Sequence, residues 1–252
     1  MSIWSGTMGV KMKYNTRFNP TITGPLHIGH LYMALVNEAE AHCTGGIFIV
    51  RMEDTQPYWC NTMKKDEQAK YYEEYQEQLS LFMDVDVWDL QSQMPAPEEI
   101  IGDFPILKKY PIIFWGNSPV EWKAVIHQKV WSYSPRATVE KVVWDFWEGV
   151  NLLIRGDDLL SEANLYAHFI EEIGLPRMRQ IYLPRLVTQD QQDKIISPIS
   201  KTDRVYLLET QIKELGVEET LYCMRHSCLI DPEGGFYVDN IKPNPIAQGF
   251  KE

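Results

Sequence analysis

Residues 14–50 read YNTRFNPTITGPLHIGHLYMALVNEAEAHCTGGIFIV, and this stretch decides the fold. YNTRF, at 14–18, has the pattern of a short strand. A turn-rich segment from Asn19 to Pro25 follows. A helix is then predicted over Leu31–His42, where Leu31, Ala34, Leu35, Glu38 and Ala39 share one mostly apolar face. Gly45-Gly46 closes it, as glycine does at helix C-termini. Ile47–Val50 is an unbroken apolar run of strand length, the pattern of a parallel strand covered on both faces. Strand, glycine-containing turn, helix and strand make a βαβ unit. The expected fold class is therefore α/β with a Rossmann-like parallel sheet.

Working outward, Met63–Phe82 reads as a charged amphipathic helix carrying Tyr71, Tyr72 and Tyr75. The span 91–134 is irregular, with five prolines and a strand-like Pro111–Trp115, and reads as an insert that splits the sheet. Val139–Val150 reads as a helix. Leu152–Arg155 is a second buried-type strand leading into Gly156-Asp157-Asp158. Glu162–Ile173 reads as a helix closing at Gly174, Ile181–Leu186 as a strand, and Asp190–Arg204 as a polar loop. Glu209–Leu215 and Glu218–Leu229 read as small helices. The expected organisation is a first half of the catalytic domain at 14–90, a reduced insert at 91–134, a second half with a mobile loop at 135–205, and a short helical appendage at 206–252.

Composition narrows the function classes. The chain has 252 residues, 44% of them hydrophobic, enough for one sizeable core. Its net charge of −11 argues against a long nucleic-acid footprint, because such binders neutralise phosphates with Lys and Arg. A local basic patch stays open, with Lys11, Lys13, Arg177, Arg179, Arg185 and Lys242 as candidates. Four cysteines without a CxxC pair fit a reducing compartment. Cys223-x-x-His226-x-Cys228 lacks a fourth ligand for a closed zinc site, so no protein metal site is expected. There is no apolar run of membrane-spanning length and no signal-type N-terminus, so the expected location is cytoplasmic, with no membrane partner.

The chemistry is concentrated in Thr23-Gly24-Pro-Leu-His27-Ile-Gly29-His30. A glycine at a strand-to-helix turn permits close approach to the backbone. The helix that follows turns its positive dipole end and N–H groups toward the same spot, which favours phosphate. Two imidazoles flanking one glycine can both donate to that phosphate.

These residues carry a resemblance. His27-Ile-Gly-His30 is similar to the HIGH signature of class I aminoacyl-tRNA synthetases. Arg17-Phe-Asn-Pro20-Thr21-Ile-Thr23-Gly24 resembles the opening motif of the glutamyl/glutaminyl branch, and Gly45-Gly-Ile-Phe-Ile-Val-Arg51-Met-Glu53-Asp54-Thr55 resembles its GGxFxxRxEDT segment. Leu153-Ile-Arg155-Gly-Asp157-Asp158 resembles its IRG segment, and Ile199-Ser200-Lys201 the core of the mobile KMSKS loop. The motifs occur in family order. Small nucleotidyltransferases also carry an HxGH, but six residues separate Pro20 from His27, where that class has one.

The resemblance implies roles. ATP, with Mg2+ accompanying it, would meet Thr23, Gly24, His27, Gly29, His30, Asp158, Ser200 and Lys201. Of these, His27, His30 and Lys201 would be catalytic. The amino acid, glutamate foremost, would meet Arg17, Thr21, Glu53, Ala137, Lys141 and Arg155. Arg17 would take its side-chain carboxylate and Glu53 its α-amino group. Ala137 and Lys141 stand where the family has tyrosine and asparagine, and Pro198 where it has the first lysine of the mobile loop. The implied reaction is aminoacyl-adenylate formation followed by transfer to a tRNA acceptor end, a stem-loop base or another acceptor. A paralogue that binds ATP or amino acid without catalysis remains an alternative. The sequence leaves no room for an anticodon-binding domain, so ordinary anticodon-dependent charging is not expected.

Overall fold

In the computed structural model, the residues described are 12–54, 65–102, 135–189, 195–199, 204–224 and 241–243. Five strands, β1 (Thr16–Phe18), β2 (Phe48–Met52), β3 (Val87–Leu90), β4 (Leu152–Gly156) and β5 (Arg179–Leu183), pair only in parallel, in the order β3-β2-β1-β4-β5. The chain winds outward from β1 through β2 to β3, then returns to the other side of β1 with β4 and β5. Order therefore reverses between β1 and β4, and open sheets bind ligands in the crevice at such a reversal. The expected Rossmann-like α/β architecture is present.

Side-chain alternation explains how the two faces are filled. Every residue of β2 is buried. Phe48, Val50 and Met52 join a core cluster with helix α1 (Ile28–Thr44) and with Tyr75 and Leu79 of helix α2 (Lys65–Ser80). Ile49 points the other way, into a cluster with helices α4 (Pro135–Trp147) and α5 (Ala163–Ile173). Arg51 shares the parity of Ile49, and Arg17 is in register with Ile49 on β1. Arg155 shares the parity of Leu153, which also belongs to the second cluster. Three arginines on adjacent strands thus project from one face toward α4 and α5.

The Gly45-Gly46 pair does more than end a helix. A Cβ on Gly46 would lie 1.9 Å from the Tyr14 carbonyl oxygen, so only glycine lets the start of β2 pass this close to the start of β1. Thr16 N–H then donates to the Ile47 carbonyl at 3.0 Å, opening the parallel pairing.

Several boundaries differ from the sequence reading. Helix α1 starts at Ile28, three residues earlier, because His27 caps it. Helix α4 starts at Pro135, a residue suited to a first helical turn, and ends at Trp147. Strand β3 was not anticipated: VWDL is a four-residue edge strand without clear alternation. The predicted polar loop at 190–204 contains a strand, β7 (Ile195–Pro198). It pairs antiparallel with β6 (Leu186–Gln189), which in turn pairs with β8 (Ile241–Pro243) in a second sheet. β7 lies at an edge of that sheet, where a proline such as Pro198 is tolerated. Leu186, assigned above to the end of the preceding strand, instead opens β6.

The first part of the predicted insert packs onto the main body. Helix α3 (Pro97–Ile101) brings Ile100 and Ile101 against the α4/α5 cluster, and the Trp144 indole donates to the Pro95 carbonyl at 2.8 Å. The rest of the insert, 103–134, lies outside the described residues. Helices α6 (Leu208–Leu215) and α7 (Val217–Met224) follow the second sheet, and the remainder of the helix predicted to reach Leu229 lies outside the described residues. No described helix is long and apolar enough to cross a membrane. Among the described residues no group of three or more His, Cys, Asp or Glu side chains could hold a metal ion. Cys60, His226 and Cys228 lie outside them.

Candidate functional site

The strand-to-helix turn is built by its own histidines. His27 is the N-cap of α1, and its Nδ1 accepts from Gly29 N–H at 3.1 Å. His30 reciprocates: its Nδ1 accepts from His27 N–H at 3.1 Å. This is a capping box in which imidazoles replace the usual hydroxyl and carboxylate. The rings stack with centroids 3.8 Å apart. Because both Nδ1 atoms accept, the proton of each neutral ring sits on Nε2, which becomes its donor.

The role of Gly29 also becomes clear. A Cβ there would lie 2.9 Å from the His27 ring, so the glycine makes room for the cap. Gly29 N–H is taken by His27, so the cap itself engages this backbone donor. The turn is anchored from α2, where the buried Tyr75 hydroxyl donates to the Gly24 carbonyl at 2.6 Å.

On the far side of the β1–β4 crevice lies a buried charge network. Asp145, on α4, is fully buried. It accepts from Arg17 Nε at 2.5 Å and Nη2 at 2.9 Å, and from Arg51 Nη2 at 2.7 Å. The Tyr166 hydroxyl of α5 donates to its other oxygen. Burial alone would raise the Asp145 carboxyl, but Arg17 and Arg51 outweigh it and hold it well below the usual carboxylate range. Arg51 Nη1 also donates to Glu148 at 2.6 Å. There burial prevails over the arginine and pushes the Glu148 carboxyl up to about 7. Arg155 is 6% exposed and lies 4.2 Å over the Tyr166 ring, with Glu162 at 3.8 Å from Nη1. Its Nε and Nη2 have no hydrogen-bond partner.

Glu53 extends the sheet beyond β2 through a parallel bridge to Thr21. Its carboxylate accepts from the Thr21 hydroxyl at 2.8 Å and from Lys141 Nζ at 3.4 Å. Lys141 and Asp145 are one helical turn apart on α4, so one helix face serves both the acid beyond β2 and the arginines of β1 and β2.

A cavity of about 460 Å3 joins these parts. Its lining includes Thr23, His27, Gly29 and His30 of the turn together with Arg17, Thr21, Arg155 and Asp158. The size is that of a small-molecule site. Glu53 and Lys141 are not on this wall and adjoin it through Thr21. Of the other sequence candidates, Gly24 is fixed by Tyr75, and Ala137 lies on α4 with its side-chain surroundings outside the described residues. Ser200 and Lys201 lie outside them too, although buried Ile199, just before them, reaches the cavity wall.

Asp145, Glu148 and Tyr166 were not singled out from the sequence. The signal available was an acid inside the apolar run Val142–Trp147, where an unpaired carboxylate has no place.

Of the basic candidates, Arg179 and Arg185 stand at opposite ends of β5: Arg179, at its start, donates to the Tyr14 hydroxyl at 3.3 Å, whereas Arg185, beyond its end, pairs with Asp157 at 2.7 Å. The five-residue strand between them is about 13 Å long at the usual rise per residue. Lys11 and the side chain of Lys242 lie outside the described residues.

Comparison with known proteins bears on the family and the fold. Residues 13–90 match the family model described as tRNA synthetases class I (E and Q), catalytic domain. The chain is 24% identical over 234 residues to a glutamyl-Q tRNA(Asp) synthetase of Pseudomonas syringae pv. tomato, covering 73% of this chain and 77% of that one. It is 24% identical over 245 residues to a glutamate–tRNA ligase of Ruegeria pomeroyi, covering 87% of this chain but only 53% of the ligase, so it spans about half that protein's length. Among solved structures, the tyrosyl-tRNA synthetase of Archaeoglobus fulgidus superposes with a TM-score of 0.59 at 16% identity, over 86% of this chain and 72% of that one, a likeness of fold.

Proposed function

Starting from a chain whose residues 13–90 carry the class I aminoacyl-tRNA synthetase catalytic core of the glutamyl/glutaminyl branch, we propose a ligase that activates an acidic amino acid, glutamate foremost, with ATP. The observation that carries this reading is one cavity lined both by His27 and His30 of the helix-capping turn and by the buried guanidiniums of Arg17 and Arg155.

The chemistry asks little of the protein beyond placement. An oxygen of the amino acid's α-carboxylate attacks the α-phosphorus of ATP, the bond to the bridging oxygen breaks, and pyrophosphate leaves. Catalysis is then positioning and stabilisation of phosphate charge. His27 and His30 donate Nε2–H to phosphate oxygens, and Lys201, shortly after β7, closes over them. Mg2+ arriving with the nucleotide offsets phosphate charge, and Asp158 is the one carboxylate on the described cavity wall. Arg155 receives the carboxylate at the substrate's far end, and Thr21 with Glu53 borders the same space.

The acceptor is proposed to be a tRNA end or a tRNA base, the latter in keeping with the similarity to the glutamyl-Q tRNA(Asp) synthetase. A second reading, a small or non-tRNA acceptor, is favoured by the separation of Arg179 from Arg185 and by the net charge of −11. The test is pyrophosphate exchange with ATP, screened over amino acids without RNA and then with total tRNA, with acid-gel analysis of any product. Glutamate-dependent exchange supports the reading. No exchange with any amino acid refutes it, and an ester on the tRNA 3′ end excludes the small-acceptor variant.

A further inference from the structure

Next to the cavity, Glu53 carries its own counter-ion. Its carboxylate accepts from the Thr21 hydroxyl at 2.8 Å, and Lys141 Nζ lies 3.3 Å from one oxygen and 3.4 Å from the other. Thr21 lines the cavity and is also bridged to Glu53 along the backbone, so the acid stands one residue back from the wall. The Lys141 and Glu53 side chains are 20% and 15% exposed, so neither is sealed in the core. Burial pushes the Glu162 carboxyl up, and Lys141 opposes that rise, so the same ammonium serves two acids. Helix α4, which presents it, is held to β1 and β2 by Asp145 one turn further on.

A carboxylate beside a small-molecule cavity is a receptor for a ligand's ammonium. Here that place is filled from within. A lysine ammonium has the charge and the three donors of an α-ammonium, so a ligand would have to displace a tethered group of its own kind and would gain no net ion pair. We propose that Lys141 is a specificity-determining residue: it takes Glu53 in place of a ligand's ammonium, so the cavity accepts acids by their carboxylates and does not select for a free α-amino group. Attack on the α-phosphorus needs only a carboxylate oxygen, so the chemistry does not require that group either. The substrate class is then the dicarboxylate, with glutamate and its des-amino counterpart accepted alike. This rests on the acidic substrate proposed above and states what that substrate need not carry.

The test is calorimetric binding, without ATP, of L-glutamate and glutarate, which differ only in the α-amino group. The proteins are the full chain, Lys141→Ala, Lys141→Arg and the double variant Lys141→Ala/Glu53→Gln. Wild type is expected to bind the two acids within about threefold of each other. Lys141→Ala frees Glu53 and should favour glutamate by about tenfold or more, the scale of one charge-assisted hydrogen bond. Adding Glu53→Gln should abolish that gain, and Lys141→Arg, which keeps the cation, should behave as wild type. If Lys141→Ala does not fold, Lys141→Gln, which keeps the stem without the charge, carries the test. A wild-type preference for glutamate of about tenfold overturns the proposal. So does an unchanged ratio in Lys141→Ala, a gain that survives Glu53→Gln, or binding of neither acid to any of these proteins. The expected ratios without pyrophosphate exchange would refute the proposed activation and leave this inference standing. Glutamate-dependent exchange with rejection of glutarate would do the reverse.

Discussion

Replacing His27 separates the two jobs the structure gives it, capping α1 and donating to a ligand. Its Nδ1 holds Gly29 N–H at 3.1 Å, and its own N–H is held by His30. His27→Ala removes the side-chain half of this box. An N-cap replaced by alanine costs typically about 1 kcal/mol. For a chain of this size that corresponds to a fall of roughly 2–4 °C in Tm. His27→Asn supplies an oxygen in nearly the same place, and asparagine is among the best N-caps, so its stability should stay within about 0.5 kcal/mol of wild type. Asparagine's own donor, Nδ2–H, stays closer to the backbone and does not reach the position of the imidazole Nε2–H. A hydrogen bond to a charged group contributes about 1.5–3 kcal/mol, so nucleotide affinity should fall by roughly 10- to 150-fold in both variants. The assays are thermal unfolding by circular dichroism and ATP binding by calorimetry. Asparagine that restores both stability and ATP affinity would show that the imidazole only caps the helix, and the assignment of the phosphate end would be wrong.

Two other outcomes follow from the buried network and one from the anchor of the turn. Asp145→Ala leaves the Arg17 and Arg51 guanidiniums buried without their shared carboxylate, so it should cost about 3–5 kcal/mol in denaturant unfolding; a loss below about 1 kcal/mol, the scale of an exposed pair, would contradict the burial. Glu148 is held at about 7, above its unfolded value of 4.5, so the native state must give up a proton it favours as pH rises between those values. Stability from this group is therefore present below pH 4.5 and lost through pH 7, by an amount on the order of 3 kcal/mol, and Glu148→Gln should flatten that decline; parallel stability–pH curves for the two proteins would refute it. Tyr75→Phe removes the hydroxyl that holds the Gly24 carbonyl and should cost about 1 kcal/mol, read by thermal unfolding; an unchanged Tm would show that the turn does not depend on this anchor.

Strands β1 and β2, helix α1 and the turn between β1 and α1 were legible because their signals are local. Residues 14–50 carry apolar runs, a helical stripe and glycines whose spacing alone sets β1, α1 and β2. The family likeness of the HIGH turn and of Arg51 to Thr55 reinforced what the pattern already implied. What stayed hidden depends on contacts distant in the chain. Asp145 sits in an apolar stretch, and its purpose appears only when α4 packs across β1 and β2, bringing it onto Arg17 and Arg51, 128 and 94 residues away. Tyr166 reads as one more apolar position of an amphipathic helix until its ring is found under Arg155. Lys141 departs from the family pattern on paper, and only the structure shows that it faces Glu53. The hairpin of β6 and β7 was read as loop because polar residues separate two short apolar segments, and pairing with β8 from the far end of the chain leaves no local trace.

The central claim is that one cavity holds both the nucleotide and the acidic amino acid, and a stable sulfamoyl analogue of glutamyl-adenylate tests it in a single titration. On this account such a ligand meets both the His27–His30 turn and Arg155, which line the same cavity, and so gathers both sets of contacts for one loss of translational freedom. The account predicts that it binds at least roughly 100-fold tighter than ATP or glutamate alone, as linked ligands and reaction-intermediate analogues do. It also predicts that His27→Asn and Arg155→Lys each remove a large part of that gain. An analogue that binds no better than AMP, or whose affinity is indifferent to Arg155, would contradict it.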